Sequence, residues 1–223
     1  MAARAVFIAG AGTEIGKTYV TVALTRRLRA QGRPVRTVKP LASGVPPLSD
    51  PGFAESDTAR LLDAQGIALD GEAVEACSPW RFSAPLSPDQ AAVLEGRSLD
   101  LADLVGWCRA QIAVTTGTLL VEGVGGLMSP VTEAATGLDW LRALDVPALL
   151  VSGSYLGAIS HTLTACETLR RYDVRLRAVV VSESVGAPAP ASTVATSIAR
   201  HAGAEVFCLR RGEACPEALA ALI

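Results

Sequence analysis

The residues with the clearest potential for chemistry form a glycine-rich stretch, residues 10–18, that ends in Lys17-Thr18. It follows an apolar run at 5–9 and precedes a helical pattern, so it is predicted to connect a strand to a helix. In that setting backbone N–H groups bind a phosphate, Lys17 supplies a positive charge, and the Thr18 hydroxyl reaches a magnesium ion. Gly10 and Gly16 are separated by one residue more than in the usual pattern. The sequence therefore predicts a variant of the P-loop.

The same glycines also fit, loosely, the fingerprint of a dinucleotide-binding fold. That fold expects an acidic residue about 20 positions further on, at the end of the second strand, where it holds a ribose. Here the second predicted strand, 34–38, is followed by Lys39-Pro40, and a dinucleotide site would leave Lys17-Thr18 unexplained. We therefore interpret the stretch as a nucleoside-triphosphate site.

Three polar residues near the ends of other predicted elements are candidates for the same site. Pro40 keeps Lys39 extended, which projects it over the edge of the sheet that carries the P-loop, although a surface lysine is the alternative. Glu122 closes a buried strand beside glycines that let backbone approach a ligand, and a carboxylate there suits a magnesium ligand. Asp57 begins a predicted helix, where the helix dipole alone favours an acid. Its position therefore leaves Asp57 unassigned.

A second glycine-containing segment, 153–160, also follows a predicted strand and opens a helix. It is another possible anion site, although ordinary turn chemistry explains its glycines equally well. His161 falls inside that helix, and we expect it to be packed rather than catalytic. Ser-His-Asp hydrolysis is discounted because no nucleophile elbow is present in the sequence.

The elements that must position these residues alternate between apolar runs and helical patterns. The continuous apolar character of most runs is typical of strands buried on both faces of a parallel sheet. We predict a single-domain α/β fold over 1–223, a doubly wound, mainly parallel sheet with helices on both faces. Strands are predicted at 5–9, 34–38, 117–122, 147–152, 176–181 and 204–208, and helices at 17–31, 57–65, 88–95, 100–114, 136–144, 158–172 and 191–202. Ser87 is predicted to cap the helix that Pro88 begins.

Composition limits the partners and the compartment. Half of the 223 residues are hydrophobic, enough for a sizeable core, and the net charge of −2 gives no reason to expect nucleic acid or an anionic membrane. The sequence has no apolar run of the roughly 18 residues that a membrane span needs. Five scattered cysteines and two histidines indicate free thiols in a reducing cytoplasm and no histidine-rich metal site. We expect a soluble, cytoplasmic protein.

With these residues in place, the chain closely resembles the dethiobiotin synthase family, the ATP-dependent cyclo-ligases of biotin biosynthesis. The resemblance runs in order over most of the chain, and its most specific parts are the long P-loop, Lys39 and the loop at Glu122. Other matching segments are Lys39-Pro40 with Ser43-Gly44, Ser56-Asp57, Ser87-Pro88, 121–126 and 156–161.

The resemblance implies an enzyme that carboxylates diaminopelargonic acid with CO2 and closes a ureido ring, giving dethiobiotin, ADP and phosphate. It implies a homodimer that uses MgATP. Lys39, Lys17 and Thr13 match catalytic residues, and Thr18, Asp57 and Glu122 match the magnesium ligands. Thr13 and Ser43 match substrate contacts, and Gly157, Ala158, Ile159 and Ser160 would bind the substrate carboxylate across the dimer interface. The nucleotide-binding residues it implies are Glu14, Ile15, Gly16, Lys17, Thr18, Tyr19, Asp57, Glu122, Gly123, Val124, Gly125, Ser182 and Glu183.

Two segments depart from the family pattern. Ser182-Glu183 stands where the family often has an Asn-Asp pair that contacts the base, and Phe207–Arg211 replaces a proline-rich segment. Both departures touch the base pocket, so the sequence leaves the choice of nucleotide base open. The glycine and proline content of 44–55 predicts a loop that orders when ligand binds.

Two other classes share this nucleotide domain. Partitioning and cell-division ATPases carry a signature lysine early in the loop, where this chain has Gly12, and tend to show a membrane-binding or DNA-binding element, which the sequence lacks. Cobyrinate synthases of the amidotransferase type need a further glutaminase domain, for which 223 residues leave no room. A regulatory ATPase is thus the alternative to the ligase.

Overall fold

Six strands of the computed structural model, which describes residues 4–223, form one sheet in the order β2-β5-β1-β6-β7-β8. Every pairing in this sheet is parallel, so the predicted doubly wound α/β architecture is confirmed. The strands are β1 (Arg4–Gly10), β2 (Val35–Val38), β5 (Thr118–Glu122), β6 (Ala148–Ser152), β7 (Leu176–Ser182) and β8 (Val206–Leu209). Two short strands, β3 (Leu41–Ser43) and β4 (Trp80–Phe82), pair in a separate sheet that the sequence did not predict.

The helices cover both faces of the sheet. They are α1 (Lys17–Ala30), α2 (Asp57–Gln65), α3 (Gly71–Cys77), α4 (Pro88–Leu94), α5 (Leu101–Val114), α6 (Gly137–Leu144), α7 (Ala158–Arg171), α8 (Ala191–Ala199) and α9 (Glu217–Ala221). The helices α3 and α9 and a 3₁₀ helix at Pro51–Glu55 were not predicted. None of the helices within 4–223 combines the length and apolar character that a membrane crossing requires.

The alternation of side chains along β1 explains the two cores. Val6 and Ile8 pack on one face with α1, while Phe7 packs on the other face against Trp140 of α6, with ring centroids 4.9 Å apart. Because successive residues of a strand point to opposite faces, a strand that is apolar throughout is buried on both. This burial fixes β1 in the centre of the sheet.

Local capping explains where several helices begin. Thr136 and Asp139 form a reciprocal capping box at α6, and the Ser56 hydroxyl accepts a hydrogen bond from Ala59 N at α2. The prediction for Ser87 was wrong in one respect, since its side chain makes no capping hydrogen bond. Pro88 begins α4 without that bond because its ring already fixes a helical φ.

The segment 44–55 is partly helical. Its 3₁₀ helix buries Phe53, and Asp50 caps it through Gly52 N. Closure of this segment on a ligand stays a prediction. The five cysteines are free; all are buried except Cys208, which is half-buried.

Candidate active site

Neighbouring strands bring the predicted site residues to one edge of the sheet. The P-loop follows β1, Lys39 follows β2, and Glu122 ends β5, which lies between β1 and β2. In the register of β1 and β5, Ile8 is opposite Glu122, two residues before Gly10. The carboxyl ends of parallel strands are where ligands bind in such sheets.

The P-loop has the backbone geometry that its glycines predict. Gly16 has a φ of 92°, a left-handed conformation that favours glycine, and Glu14 also has a positive φ, 56°. A Cβ at Gly10 would lie only 2.9 Å from the Lys17 side chain and from the Gly125 carbonyl. The loop therefore folds tightly around Lys17, with Ile15 buried and with Thr13 and Glu14 exposed.

Lys17 is a buried cation whose hydrogen-bond partners are uncharged. Its Nζ donates to the Gly125 carbonyl at 2.6 Å and to the Gly12 carbonyl at 3.1 Å. Burial, followed by repulsion from Lys39, lowers the pKa of Lys17 to about 8, although Glu122 and Asp57 act in the opposite direction. Among residues 4–223, no carboxylate is thus bonded to the Lys17 ammonium group.

Lys39, unlike Lys17, has charged hydrogen-bond partners. Its Nζ donates to Glu122 Oε1 at 2.9 Å and to Asp57 Oδ2. Burial on its own would lower the pKa of Lys39, but the carboxylates of Glu122 and Asp57 raise it above its usual value. Burial would likewise raise the pKa of Asp57, but Lys39 lowers it. Asp57, which its sequence position alone left unassigned, therefore lies in one cluster with Lys39 and Glu122.

The oxygen atoms around Glu122 suit a hard cation. The Thr18 hydroxyl donates to Glu122 Oε1 at 2.6 Å, and Glu122 Oε2 is buried without a hydrogen-bond partner among residues 4–223. Two carboxylates and a hydroxyl are ligands that Mg²⁺ prefers. Since the described residues hold no group of three or more His, Cys, Asp or Glu able to bind a metal, phosphate oxygens and water would have to complete the shell.

The loop after Glu122 connects Glu122, which Lys39 contacts, to Gly125, which Lys17 contacts. A Cβ at Gly123 would lie 2.8 Å from the Phe7 ring, and Gly125, with a φ of 61°, supplies the carbonyl that Lys17 binds. Val124 between them is half-buried. Glycine is thus required on both sides of Val124 by close approach or by a positive φ. Ser43 ends β3 four residues after Lys39 and is also half-buried.

The second glycine-containing segment lies between β6 and α7. Gly157, with a φ of 97°, precedes the helix, and Ile159 and Ser160 are exposed. Gly157 to Ser160 form no hydrogen bond or ion pair with Lys17, Lys39 or Glu122 in the described part of the chain. Ala158 is buried.

The expectation that His161 is packed was wrong. It is exposed, and its Nδ1 lies 2.8 Å from the Tyr155 hydroxyl, which itself lies near Gly12 of the P-loop. His161 lies in the first turn of α7, at the flank of the face that buries Ala158, Thr162 and Ala165. The sequence reasoning missed Tyr155, whose one signal was its place just after strand β6.

At the end of β7, Ser182 and Glu183 lie beside the P-loop helix. The Ser182 hydroxyl is buried against Gly16 and has no hydrogen-bond partner in residues 4–223. Glu183 accepts from the backbone N of Arg211, whose guanidinium lies over the Tyr19 ring. Both residues thus lie near the P-loop, but their side chains point to different neighbours.

The sequence is similar to one family of domains and to relatives that share one name. The family described as AAA domain matches residues 4–209. A protein of Methylobacterium nodulans named ATP-dependent dethiobiotin synthetase BioD is 67% identical over 212 residues, which cover 94% of each chain. A protein of the same name from Acidiphilium cryptum is 45% identical over 89% of this chain and 88% of its own length.

Solved structures share the fold at low sequence identity. A ParA family ATPase from Chlorobium tepidum TLS has a TM-score of 0.52 at 13% identity, covering 94% of this chain and 85% of its own. Chloroplast FtsY from Physcomitrella patens has a TM-score of 0.51 at 16% identity, covering 91% and 57%. These likenesses show the fold alone and give no support to the regulatory ATPase alternative.

Proposed function

We propose, since this chain belongs to the ATP-dependent dethiobiotin synthetase family, that it is an ATP-dependent ligase that forms dethiobiotin. Its substrates would be diaminopelargonic acid, CO2 and ATP, and its other products ADP and phosphate. The observation that supports this site most strongly is the contact of Lys39 with Glu122 and Asp57 beside a P-loop that encloses Lys17. The cluster places two cations and a carboxylate pair where a triphosphate would end.

The P-loop would bind the phosphates of ATP. Its backbone and the N-terminus of α1 supply N–H donors, and Lys17 supplies a charge that its carbonyl partners leave uncompensated. Glu14, Ile15, Gly16 and Tyr19 complete the nucleotide contacts that the family pattern implies. Thr13, exposed in the lengthened part of the loop, would lie where substrate and the terminal phosphate meet.

Thr18, Asp57 and Glu122 would hold a magnesium ion, and the partnerless Glu122 Oε2 supports that assignment. When bound, the ion would supply charge neutralisation at the β- and γ-phosphate oxygens. Because Lys39 occupies the same carboxylates, it would have to change partners during the reaction.

Lys39 would stabilise the anions that form on the diamine side. One neutral amine of the substrate attacks CO2 and loses a proton, which gives a carbamate. A carbamate oxygen then attacks the γ-phosphorus of ATP, and ADP leaves. The second amine attacks the carbon of the resulting mixed anhydride, phosphate leaves with the bonding electrons, and the attacking nitrogen loses a proton to give the cyclic urea. Positioning and fixed charge do most of this work.

The remaining expectations belong to the same proposal. Ser43 would contact the diamine, and residues 157–160 would reach the substrate carboxylate of the partner in a cytoplasmic homodimer. Leu156 is 88% exposed directly before this helix start, which supports an interface there because large apolar side chains favour burial. We further propose that 1–223 is one ligase domain.

Incubation of the protein with diaminopelargonate, bicarbonate and MgATP tests the proposal. Mass spectrometry should detect the cyclic urea in an amount equal to the ADP formed, and no urea when the diamine is omitted. Release of ADP without urea in the complete mixture would overturn the proposed function and favour a regulatory ATPase.

A further inference from the structure

The strand that leads to Lys39 lies at the edge of the main sheet. Among the described strands β2 pairs with β5 alone, so the backbone groups on its outer side need other partners. Two N–H groups have them: Thr37 N donates to Gln65 Oε1 at 2.8 Å, and Lys39 N donates to the Cys77 carbonyl at 3.0 Å. The outer edge of β2 is thus covered by the last residues of α2 and α3 and not by another strand.

The side-chain amide of Gln65 is held by three hydrogen bonds. Its Oε1 accepts from Thr37 N, and its Nε2 donates to the carbonyls of Thr37 and Leu61, each at 2.9 Å. An amide has two N–H donors and one carbonyl acceptor, so every polar group of this side chain is bonded and its orientation is fixed. Gln65 therefore gives Thr37 both the acceptor and the donor that a neighbouring strand would supply.

The helix that carries Gln65 also contacts the side chain of Lys39. Asp57, at the first position of α2, accepts from Lys39 Nζ, and Gln65 is the last residue of the same helix. The helix has nine residues, which span about 13 Å. One rigid element therefore holds the strand before Lys39 at one end and the ammonium group of Lys39 at the other.

The contacts made by Gln65 do not involve the ammonium group. In the proposed reaction a magnesium ion competes for Asp57 and Glu122, so Lys39 Nζ would exchange these partners for anions of the substrates. The bonds of Thr37 to Gln65 and of Lys39 N to Cys77 join backbone groups and would survive that exchange. They would then fix the position from which the ammonium group reaches the reacting atoms.

We propose that Gln65 is a positioning residue of the ligase, which holds β2 so that Lys39 keeps its place while its ammonium group changes partners. A displacement of about 1 Å at a reacting group can lower a rate about 100-fold, so support behind Lys39 affects turnover. The inference rests on the proposed role of Lys39 in turnover. The alternative is that Gln65 covers an exposed strand edge and contributes to stability alone.

Steady-state kinetics of Gln65→Met separates these two roles. Methionine keeps the length and the helix propensity of glutamine but makes none of the three hydrogen bonds. The variant should show a kcat about tenfold lower and a KM for ATP within about twofold of the parent value, measured where circular dichroism shows both proteins folded. The matched control is Asp63→Asn on the same helix, since this exposed residue pairs with Arg26 of α1 and not with β2; its kcat should equal that of the parent.

An unchanged kcat in Gln65→Met would overturn the proposal, and so would an increase in KM for ATP as large as the decrease in kcat. Lysine carrying an NMR-active label at Cε gives a readout that stability alone would not change. In folded Gln65→Met without nucleotide, the Lys39 signal should shift or broaden while the Lys17 signal stays in place. Two unchanged signals would contradict the positioning role.

Hydrogen exchange in the unmodified protein does not depend on how a variant folds. The Thr37 N–H should exchange more slowly than an exposed amide by on the order of 100-fold, because Gln65 accepts its hydrogen bond. Free exchange at Thr37 would overturn the proposal. A parent protein that forms no dethiobiotin would instead disprove the proposed function, so the two failures are distinguishable.

Discussion

Lys17 and Lys39 are the only lysines in the sequence, and the site places both in one buried cluster with opposite partners. Lys17 donates to the carbonyls of Gly12 and Gly125, while Lys39 donates to the carboxylates of Glu122 and Asp57. The pKa of Lys17 is accordingly lowered, mainly by burial, whereas the two carboxylates raise that of Lys39. Two lysines of one site, one at the start of α1 and the other after β2, therefore have different partners and are suited to different events.

Lys17 has no bonded counter-ion within the described part of the chain, so an incoming phosphate would supply one. Lys39 already has two, and a magnesium ion would compete for the same oxygens. We therefore expect both ATP binding and turnover to depend on Lys17, and turnover alone to depend on Lys39.

The largest expected effect comes from removing the uncompensated cation. Lys17→Ala should lower turnover on the order of 100- to 1,000-fold, as loss of a preorganised charge does, and should weaken ATP binding as well. Titration calorimetry and the urea assay measure the two quantities. If both stayed at the parent level, the P-loop assignment would be wrong.

Removing Lys39, the cation bonded to carboxylates, should separate the effect on turnover from the effect on ATP binding. Lys39→Ala should slow turnover about 100-fold but change ATP affinity little. The same variant should bind Mg²⁺ more tightly without nucleotide, because Asp57 and Glu122 lose their ammonium partner. Calorimetry with MgCl₂ checks this second result. Normal turnover, or unchanged Mg²⁺ affinity, would contradict the different roles proposed for the two lysines.

Replacing the carboxylate of Glu122, which Lys39 contacts, tests the proposed magnesium site. Glu122→Gln should raise the Mg²⁺ concentration for half-maximal turnover about tenfold, because one charged ligand is lost. Asp103→Asn, an exposed acid on α5, is the matched control and should leave the titration unchanged. An unaltered Mg²⁺ titration in Glu122→Gln would count against the metal site.

The pKa of Lys17, about 8, predicts a pH dependence of ATP affinity. Lys17 loses its proton as pH rises through that value, so affinity should fall by up to about tenfold per pH unit above it. Stability should change in the opposite direction. Since the pKa of Lys17 in the folded protein lies below the ordinary lysine value of 10.5, the unfolded chain binds more protons between these two pH values, and this group adds stability as pH rises. A flat affinity from pH 7.5 to 9.5 would contradict the assignment.

The smallest expected effect concerns Ser43, which follows Lys39 on the same segment. Ser43→Ala should raise KM for the diamine about fivefold, the cost of one hydrogen bond, and leave KM for ATP unchanged. Steady-state kinetics with each substrate varied in turn measures both constants. A shift in KM for ATP instead would place the diamine elsewhere.

Much of this arrangement was predictable because it depends on local pattern. Continuous apolar runs identified the six strands of the main sheet, and Gly16-Lys17-Thr18 with Lys39 and Glu122 identified the strand ends that meet. Asp57 could be placed only through the family pattern, since a helix start explains an acid without any site.

The rest depended on tertiary contacts. The three-residue strands β3 and β4 have too few residues for an alternating pattern, and they pair with each other across a long stretch of sequence. His161 is exposed because it lies at the flank of the buried face of α7, and its place in the sequence alone does not show on which side of that boundary it falls. The stacking of Arg211 on Tyr19 joins residues far apart in the chain, and neither residue alone indicates it.

The difference between the two lysines can be measured directly, because lysine carrying an NMR-active label at Cε gives two side-chain signals in this sequence. A pH titration of the protein without nucleotide, with the signals assigned by Lys39→Arg, should show a midpoint for Lys17 at about 8. The Lys39 signal should not titrate up to about pH 10.5, the ordinary midpoint of a lysine. Two signals that titrate together near that ordinary midpoint would contradict the account.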